Sequence, residues 1–393
     1  MAQGKPVETH IAQQSPDLDE ANRVLQEAVQ LRQQGTLETF QQAIPLFERA
    51  ATLFRQAGEQ RLEAVTLTNI GFIYDSLGEK QKALECYARA LPLFQALGDR
   101  GGEAATLNNI GAVYDSLGKK QKALEYFARA LPLYQAVGAR GGEAQTLNNI
   151  GAVYNSLGEK QKALEYYDRA LPLYQAVGDS PSERLRQRRG EAGILNNIGF
   201  VYDSLGEKQK ALEYYARALP LYQAVGDRGG EGTTLNNIGG VYDSLGEKQK
   251  ALEYYERALP LYQAVGDRRG EGTTLNNIGL VYNSLGEKQK ALEYYARALP
   301  LLQAVGDRGV EARTLNNIGA VYNSLGEKQK ALEYLDRALP LHQAVGDRAG
   351  EAISLYSIAF TQRSQGNLEN ALTEMEKSIA ILEDLRTKAP TTE

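Results

Sequence analysis

A phrase that is repeated along the chain constrains the fold more than any other feature of the sequence. The tripeptide Asn-Ile-Gly recurs every 40 residues, with one interval of 48, and its glycine stands at Gly71, Gly111, Gly151, Gly199, Gly239, Gly279 and Gly319. A divergent unit lies on each side of these seven units. Such self-similarity is the signature of a repeat array. We therefore predict nine stacked units instead of the two or three globular domains that 393 residues would suggest.

Each unit contains two patterns that are typical of amphipathic helices. In one unit, an apolar stripe runs through Leu107, Ile110 and Tyr114 before Gly118 ends the helix. The second stripe of that unit consists of Ala123, Phe127, Ala130, Leu131 and Tyr134. Neither helix can bury its stripe alone, so stacked neighbours must cover both. We expect this pair to span about Glu103–Leu117 and Lys119–Val137.

These positions resemble the tetratricopeptide repeat, because they reproduce the spacing of its large, glycine and tyrosine residues and of its Ala–aromatic–Ala pattern. The matching residues are Leu107, Ile110, Gly111, Tyr114, Gly118, Ala123, Phe127 and Ala130. The resemblance implies an all-α, right-handed superhelical solenoid of about nine antiparallel helix pairs, whose first helices line a concave groove. The unit of 40 residues is longer than the roughly 34 of this family. The phrase Thr-Leu-Asn-Asn-Ile resembles the kinesin-light-chain subtype.

The solenoid is expected to occupy residues 17–388. The seven near-identical units lie at about 61–348, the divergent end units lie at 17–60 and 349–388, and tails lie at 1–16 and 389–393. We expect the N-terminal tail to be flexible. A proline recurs in each second helix, as at Pro132, where it removes one helical hydrogen bond. This proline predicts a kink or a weakened last turn.

The interval of 48 residues marks an insertion at Ser180–Arg189. Ser180, Pro181 and Glu183 match the cap, first turn and capping box of a helix. We predict that the insertion is mostly helical and exposed, and that it continues into the next first helix at about Glu191–Leu205. Its arginines make it basic, so both a partner site and a tolerated insertion remain open.

Composition excludes several classes of function. The net charge of −5 argues against a nucleic-acid partner, and the sequence contains no apolar run long enough to span a membrane. A single cysteine, Cys86, fits a reducing compartment, and we expect a cytoplasmic location. Only two histidines, His10 and His342, are available for metal or acid–base chemistry. We therefore predict no cofactor, no metal and no enzymatic activity.

Paired asparagines in the first helix are the candidate ligand-binding residues. Asparagine is a poor helix former, so its repeated use in mid-helix requires a compensating interaction. The second asparagine of each pair stands at Asn69, Asn109, Asn149, Asn197, Asn237, Asn277 and Asn317, and the first at Asn108, Asn148, Asn196, Asn236, Asn276 and Asn316. In similar arrays, an asparagine at the second position faces the groove and binds a peptide backbone. An amide suits this role because it both donates and accepts hydrogen bonds.

The asparagines also have a structural interpretation, in which they form hydrogen bonds between repeats with or without a ligand. The two roles can coexist if each asparagine of a pair takes one of them. The positions around the second asparagine favour binding, because they vary along an otherwise constant frame. Three residues after it stand Phe72, Ala112, Ala152, Phe200, Gly240, Leu280 and Ala320, and four before it stand Val65, Ala105, Gln145, Gly193, Thr233, Thr273 and Arg313.

The rim of the groove is predicted to be acidic. Six residues after the second asparagine stand Asp75, Asp115, Asn155, Asp203, Asp243, Asn283 and Asn323, and little lysine or arginine other than Arg313 is expected to oppose them. This prediction favours a neutral or basic ligand over an acidic one. The charged start of each second helix, as in Glu79–Lys82, is expected to be a solvated face.

Together these features predict a non-enzymatic scaffold that binds a protein or peptide segment, as yet unidentified, in an asparagine-lined groove. The alternative is the sensor or regulatory part of a CHAT-type peptidase system, because "SLGEKQKALEYY" and "AVGDRGGEA" resemble the repeats of such bacterial proteins. A third hypothesis is a structural array that associates with itself.

Overall fold

The structure, a computed structural model, describes residues 16–175 and 180–388, and every regular element in these ranges is an α-helix. The prediction of an all-α array of about nine helix pairs is confirmed. Of the tail predicted at 1–16, residues 1–15 lie outside the described residues and Pro16 begins a helix, and the tail predicted at 389–393 also lies outside them. The helices are α1 Pro16–Gln34, α2 Leu37–Gln56, α3 Gln60–Ser76, α4 Lys80–Leu97, α5 Arg100–Ser116, α6 Lys120–Ala136, α7 Arg140–Ser156, α8 Lys160–Gln175, α9 Pro181–Ser204, α10 Lys208–Val225, α11 Arg228–Ser244, α12 Lys248–Val265, α13 Arg268–Ser284, α14 Lys288–Ala304, α15 Arg308–Ser324, α16 Lys328–Val345, α17 Arg348–Ser364 and α18 Leu368–Lys388.

The chain divides into two compact units, unit 1 at Met1–Gly190 and unit 2 at Glu191–Glu393. In both units, a first helix (odd number) pairs with the second helix (even number) that follows it, and that second helix contacts the next first helix. Successive first helices also contact each other, with Cα atoms within 8 Å, as in α5 with α7 and α13 with α15. First helices therefore form a layer from α3 to α7 in unit 1 and from α11 to α17 in unit 2.

Glycines in left-handed conformation end the helices, as their positions in the sequence predicted. Gly118 has a φ of 72°, and its N–H donates to the carbonyl of Asp115 at 2.9 Å, while Lys119 N–H reaches back to Tyr114. Only glycine adopts this conformation without a steric penalty. Five first helices begin with an aspartate cap whose carboxylate accepts a backbone N–H of the first turn, at Asp99, Asp227, Asp267, Asp307 and Asp347.

The two helices of a pair approach closely because one contributes a glycine where the other contributes a ring. A Cβ atom on Gly151 would lie 2.6 Å from the ring of Tyr167, which is 1% exposed. At the junction between repeats, Ile150 and Val153 of one first helix pack on Ala123 and Phe127 of the preceding second helix. The apolar stripes are thus covered partly within a pair and partly by the neighbouring pair.

The second helices run through their prolines. In α6, for example, the helix continues from Pro132 to Ala136. A proline in a helix interior removes one hydrogen bond without preventing the turn that follows. The predicted effect of this proline on curvature stays a prediction.

The insertion is helical and exposed, as predicted. Helix α9 begins at Pro181 and runs without a break to Ser204, which makes it 24 residues long, where the first helices of the other near-identical repeats have 17. The hydroxyl of Ser180 accepts the Glu183 N–H at 3.2 Å, and the Glu183 carboxylate accepts the Ser180 N–H at 3.2 Å. This reciprocal pair is the predicted capping box.

Adjacent glycines in α5 provide a test of the helix contacts. A Cβ on Gly102 would lie 2.3 Å from the buried ring of Phe94, whereas a Cβ on Gly101 would meet only a carboxylate oxygen at 3.6 Å. We expect Gly102→Ala to lower the free energy of unfolding by about 1–3 kcal/mol through overpacking. Gly101→Ala should leave it unchanged or raise it by up to about 1 kcal/mol, since alanine favours the helix. Urea unfolding of both variants measures this difference, and equal destabilisation would contradict the packing described here.

Candidate ligand-binding face

The first asparagine of each pair lies at a junction between repeats. In unit 1, Asn108 Oδ1 accepts a hydrogen bond from Asn149 Nδ2 of the next first helix at 3.3 Å. In unit 2, the same bond joins Asn237 to Asn196 at 3.3 Å, Asn277 to Asn236 at 3.3 Å and Asn317 to Asn276 at 3.1 Å. The first asparagine is buried at Asn108, Asn196, Asn276 and Asn316 and half-buried at Asn148 and Asn236. These bonds form a ladder that crosses each of these junctions.

A threonine hydroxyl reaches the same amide oxygen. Thr314 Oγ1 lies 3.1 Å from Asn276 Oδ1 and 2.8 Å from the Val310 carbonyl of its own helix. A hydroxyl has one proton, so it can donate fully to only one of these acceptors. The same contact to the first asparagine of the preceding repeat recurs at Thr146, Thr234 and Thr274. The sequence phrase Thr-Leu-Asn-Asn therefore encodes both sides of the junction.

The second asparagine connects the ladder to the open face of the first helices. It is half-buried at all seven positions: Asn69, Asn109, Asn149, Asn197, Asn237, Asn277 and Asn317. In Asn317, one amide N–H donates to Asn276, and the side chain retains a second N–H and its oxygen. Asn149 Oδ1 accepts from Gln145 Nε2 at 3.0 Å, and Asn69 Nδ2 donates to the Val65 carbonyl at 3.0 Å. These partners lie four residues earlier, at the variable position.

A cavity of about 540 Å³ opens on this face in unit 2. Its walls combine asparagines of two adjacent pairs with variable residues and with the buried His342. The lining residues from α13 and α15 include Thr273, Asn277, Leu280, Arg313 and Asn317. Ile353 of α17 completes the lining with an apolar side chain that is 57% exposed. The structure thus brings together the asparagine, the residue four before it and the residue three after it.

Large apolar side chains are exposed at the variable positions. Four such side chains stand three residues after the second asparagine, or after Ser357, which takes its place in the last repeat. They are at least 40% exposed: Phe72 in unit 1, and Phe200, Leu280 and Phe360 in unit 2. Arg32 lies over the ring of Phe72, with 5.7 Å between the guanidinium carbon and the ring centroid. Repeated exposure of apolar side chains on one face is typical of an interaction surface.

The prediction of an acidic rim is wrong. Each aspartate six residues after the second asparagine is paired with a lysine from the start of the next helix, as in Asp75 with Lys80 at 2.7 Å and Asp243 with Lys248 at 2.6 Å. The lysine Nζ also contacts the backbone carbonyl of the same aspartate. The carboxylate charge is therefore neutralised locally. Sequence reasoning missed these lysines because it assigned the whole start of the second helix to solvent.

Asparagine replaces the aspartate at three of these sites and changes their charge. Lys160, Lys288 and Lys328 contact the amide oxygens of Asn155, Asn283 and Asn323 at 2.6–2.7 Å. Burial lowers the pKa of Lys160 because its cation is partly removed from water. Two of the three sites lie in α13 and α15, the helices that also carry Leu280 and Arg313, so this part of unit 2 carries more positive charge than the sequence reasoning allowed.

His342 occupies a slot that holds tyrosine in other repeats, and its side chain is fully buried, as predicted for a packed position. Its Nδ1 lies 3.0 Å from Asp347 Oδ2, and its Nε2 lies 3.2 Å from Asn316 Nδ2. Because the amide nitrogen of Asn316 can only donate, Nε2 accepts and Nδ1 carries the proton. This network replaces the ladder bond at the last junction, where Ser357 stands in place of the second asparagine.

Cys86, the one cysteine of the sequence, is buried. Burial raises its thiol pKa to about 11, so the thiol is protonated near neutral pH and a poor nucleophile. In residues 16–175 and 180–388, no three His, Cys, Asp or Glu side chains are grouped to hold a metal ion. None of the helices in these ranges is long and apolar enough to cross a bilayer.

Comparison with protein families decides the assignment. The tetratricopeptide repeat model matches residues 36–96, 81–136, 102–176, 190–264, 250–304 and 310–384. The chain belongs to the tetratricopeptide-repeat family. No curated protein sequence matches it significantly.

Solved structures with similar folds share little sequence with this tetratricopeptide array. The signal transduction ATPase PH0952 from Pyrococcus horikoshii, which has a tetratricopeptide repeat sensor, has a TM-score of 0.65 at 16% identity, and the match covers 96% of this chain but 56% of that one. Aspartyl phosphate phosphatase F from Bacillus subtilis has a TM-score of 0.60 at 15% identity, with 95% of each chain covered. A Rap protein in complex with competence and sporulation factor has a TM-score of 0.57 at 16% identity, with 84% and 98% covered. At these identities the likeness concerns the fold.

The two asparagines of one pair should differ in their contribution to stability. Asn276→Ala removes the buried oxygen that faces Asn317 and Thr314 and leaves the half-buried Asn317 N–H without its acceptor, while Thr314 can still donate to the Val310 carbonyl. We expect it to lower the free energy of unfolding by about 1–2 kcal/mol. Asn277→Ala removes one donor to Asn236, which keeps its contact with Thr274, so its cost should be about 0.5 kcal/mol or less. Urea unfolding of the two variants is the measurement, and a larger effect of Asn277→Ala would contradict these roles.

Proposed function

We propose that this chain is a non-enzymatic interaction scaffold that holds an extended polypeptide segment against its first helices. The observation that carries the proposal is the cavity in unit 2, in which Asn277 and Asn317 lie beside the variable residues Thr273, Leu280 and Arg313. Ligand sites in proteins typically combine an apolar concave surface with a few polar groups that fix orientation. The cavity has this combination, and its dimensions suit several residues of a peptide.

The amides of the second asparagines would bind the peptide backbone. Each ladder bond uses one N–H of Asn277 or Asn317 and orients the rest of the amide. A preorganised amide loses little side-chain entropy on binding, and it can donate to a peptide carbonyl and accept from a peptide N–H. Each such bond contributes about 0.5–1.5 kcal/mol. Repetition along the unit would add these small terms over an extended ligand.

Selectivity would come from the variable residues. Leu280 and Ile353 offer apolar contact, whereas Arg313 adds a cation beside them. Arg313 is the cation that lines the cavity, and the Asp347 carboxylate, which also lines it, is already engaged by His342 and by the Gly350 N–H, so this part of the face favours a ligand with an acidic or neutral group. The ligand we now propose therefore differs in charge from the one that the sequence suggested.

Two of the similar folds are consistent with a binding role. The Rap protein was solved with competence and sporulation factor bound, and PH0952 uses its tetratricopeptide repeats as a sensor. The name of aspartyl phosphate phosphatase F refers to a catalytic activity, but 15% identity extends the likeness to the fold alone. For the present chain, the protonated, buried thiol of Cys86 supports a non-enzymatic role. We further infer that it works in a reducing compartment such as the cytoplasm.

Two leucines of one segment allow a matched test of the site. Leu280 lines the cavity and is 40% exposed, while Leu285 caps the same helix outside the cavity and is 45% exposed. Peptides are first selected on the wild-type chain from a random library and then titrated by fluorescence anisotropy. We expect Leu280→Glu to weaken binding by about ten-fold or more through lost apolar contact and added charge, and Leu285→Glu to change it by less than about two-fold.

Equal affinity of the two leucine variants for every selected peptide would contradict the proposed site. Recovery of a His–Cys peptidase as the partner in the native host would instead favour the regulatory alternative.

A further inference from the structure

The last helix pair of unit 2 exposes an apolar surface that is separate from the cavity. We call it the end face, and define it by Leu372, Ile379 and Leu382 of α18, which are 48–61% exposed. The positions 40 residues earlier are buried or half-buried. Leu382, for example, corresponds to the fully buried His342. The end face is therefore the surface on which another first helix would pack.

Earlier junctions show how such a helix binds. Tyr262 occupies the position of Leu382 three repeats earlier. Its ring contacts the next first helix at Gly270, where a Cβ atom would lie 2.4 Å from the ring. Ile318 and Val321 of α15 pack on Ala291 and Tyr295 of the preceding second helix. An occupant of the end face should accordingly be a helix that presents a small residue to Leu382 and branched apolar residues to the rest of α18.

The spacing of the apolar residues on α18 also indicates a helical partner. Leu368, Leu372, Met375, Ile379 and Leu382 follow one another at intervals of four, three, four and three residues. This is the spacing of a seam between two helices, with leucine or isoleucine at the positions that such seams prefer. Four of the five are exposed, and Met375 is half-buried.

Charge beside the seam distinguishes between partners. Glu369, Glu376 and Glu383 are exposed and follow each other at intervals of seven residues, so they form one acidic row along an edge of the seam. In an antiparallel pair of two α18 helices, the same edge of each helix faces its partner, and the acidic rows would repel each other. A helix with lysine or arginine beside its apolar stripe would instead be attracted.

The N-terminal pair does not provide a suitable partner surface in another copy. Ala28 of α1 packs with Phe47 in the place that the phrase glycine takes in later repeats. When Ala28 is aligned with Gly111 of α5, Glu27 aligns with Ile110 and Gln30 with Val113. Both α1 residues are exposed, whereas Ile110 and Val113 pack on the preceding second helix. A polar outer face of this kind closes a repeat array towards solvent. Head-to-tail stacking of copies is therefore not favoured by these residues.

We propose that the end face binds an amphipathic helix of a partner protein, with basic residues flanking its apolar stripe, in the place of one further first helix. The proposal concerns a different surface from the cavity in unit 2 and does not depend on it. Apolar contacts with Leu372, Ile379 and Leu382 would provide most of the affinity, and the acidic row would select the charge of the partner.

A pair of helical peptides tests this proposal with the full chain. Both carry the sequence of α15, Arg308–Ser324, held helical by a lactam bridge, with either lysine or glutamate at the positions that flank Ile318 and Val321. We expect the lysine peptide to bind about ten-fold more tightly than the glutamate peptide in fluorescence anisotropy. Ile379→Glu/Leu382→Glu should abolish binding, while Leu185→Glu, at a residue that is 48% exposed on α9, should not change it.

Charge reversal distinguishes the proposed partner from a second copy of the chain. In the variant Glu369→Lys/Glu376→Lys/Glu383→Lys, the preference between the two peptides should invert. Sedimentation of the wild-type chain should show a monomer. A dimer that Ile379→Glu/Leu382→Glu dissociates would assign the end face to self-association and overturn the proposal. Equal binding of both peptides to the wild-type chain and to Ile379→Glu/Leu382→Glu would overturn it as well.

Discussion

In the six repeats from α3 to α14, the contact between a glycine of the first helix and a ring of the second helix sets the distance on which the rest of the repeat depends. At Gly151 the backbone lies against the ring of Tyr167, and any side chain there would overlap it. Close pairing leaves the outer edges of both helices to be covered by the next pair, as Ile150 and Val153 cover Ala123 and Phe127. Stability therefore resides in the contacts between neighbours, which is the property that defines a repeat array.

The same stacking explains why paired asparagines are present at the centre of the first helices. Bringing successive first helices into contact places Asn276 of one beside Thr314 and Asn317 of the next. The buried amide oxygen then has donors, which offsets the poor helix propensity of asparagine. One asparagine of the pair thus belongs to the junction, and the other is held at the surface with polar atoms still available. We consider the ladder a support for a binding face as well as a link between repeats.

The sequence predicted the helix pairs well because their signal is local. The spacing of Leu107, Ile110 and Tyr114 and the stop at Gly118 lie within one helix, and the capping box at Ser180 lies within four residues. The partners of the asparagines lie 38 and 41 residues away, so a single unit could not reveal them. The pairing of Lys80 with Asp75 spans only five residues, and it was missed because the whole start of the second helix was assigned to solvent.

The resemblance to the kinesin-light-chain subtype stays a prediction, as does the assignment of the second asparagines to ligand binding. Both predictions follow from the phrase Thr-Leu-Asn-Asn-Ile. The structure adds a cavity at which the ligand-binding role of the second asparagines can be tested. The end face of unit 2 is an independent surface. Sequence periodicity alone did not reveal it, because Leu382 stands at a position that is buried by the next first helix in earlier repeats and is exposed only in the last pair.

The central claim is that a polypeptide ligand lies on the first helices of unit 2. Site-specific photocrosslinking tests it directly, with benzoylphenylalanine placed either at Thr273 in the cavity or at the exposed Glu293 of the second helix α14. With a peptide selected on the wild-type chain, the account predicts a crosslinked adduct from position 273 and none from position 293. An adduct from position 293 alone, or equal adducts from both positions, would contradict it.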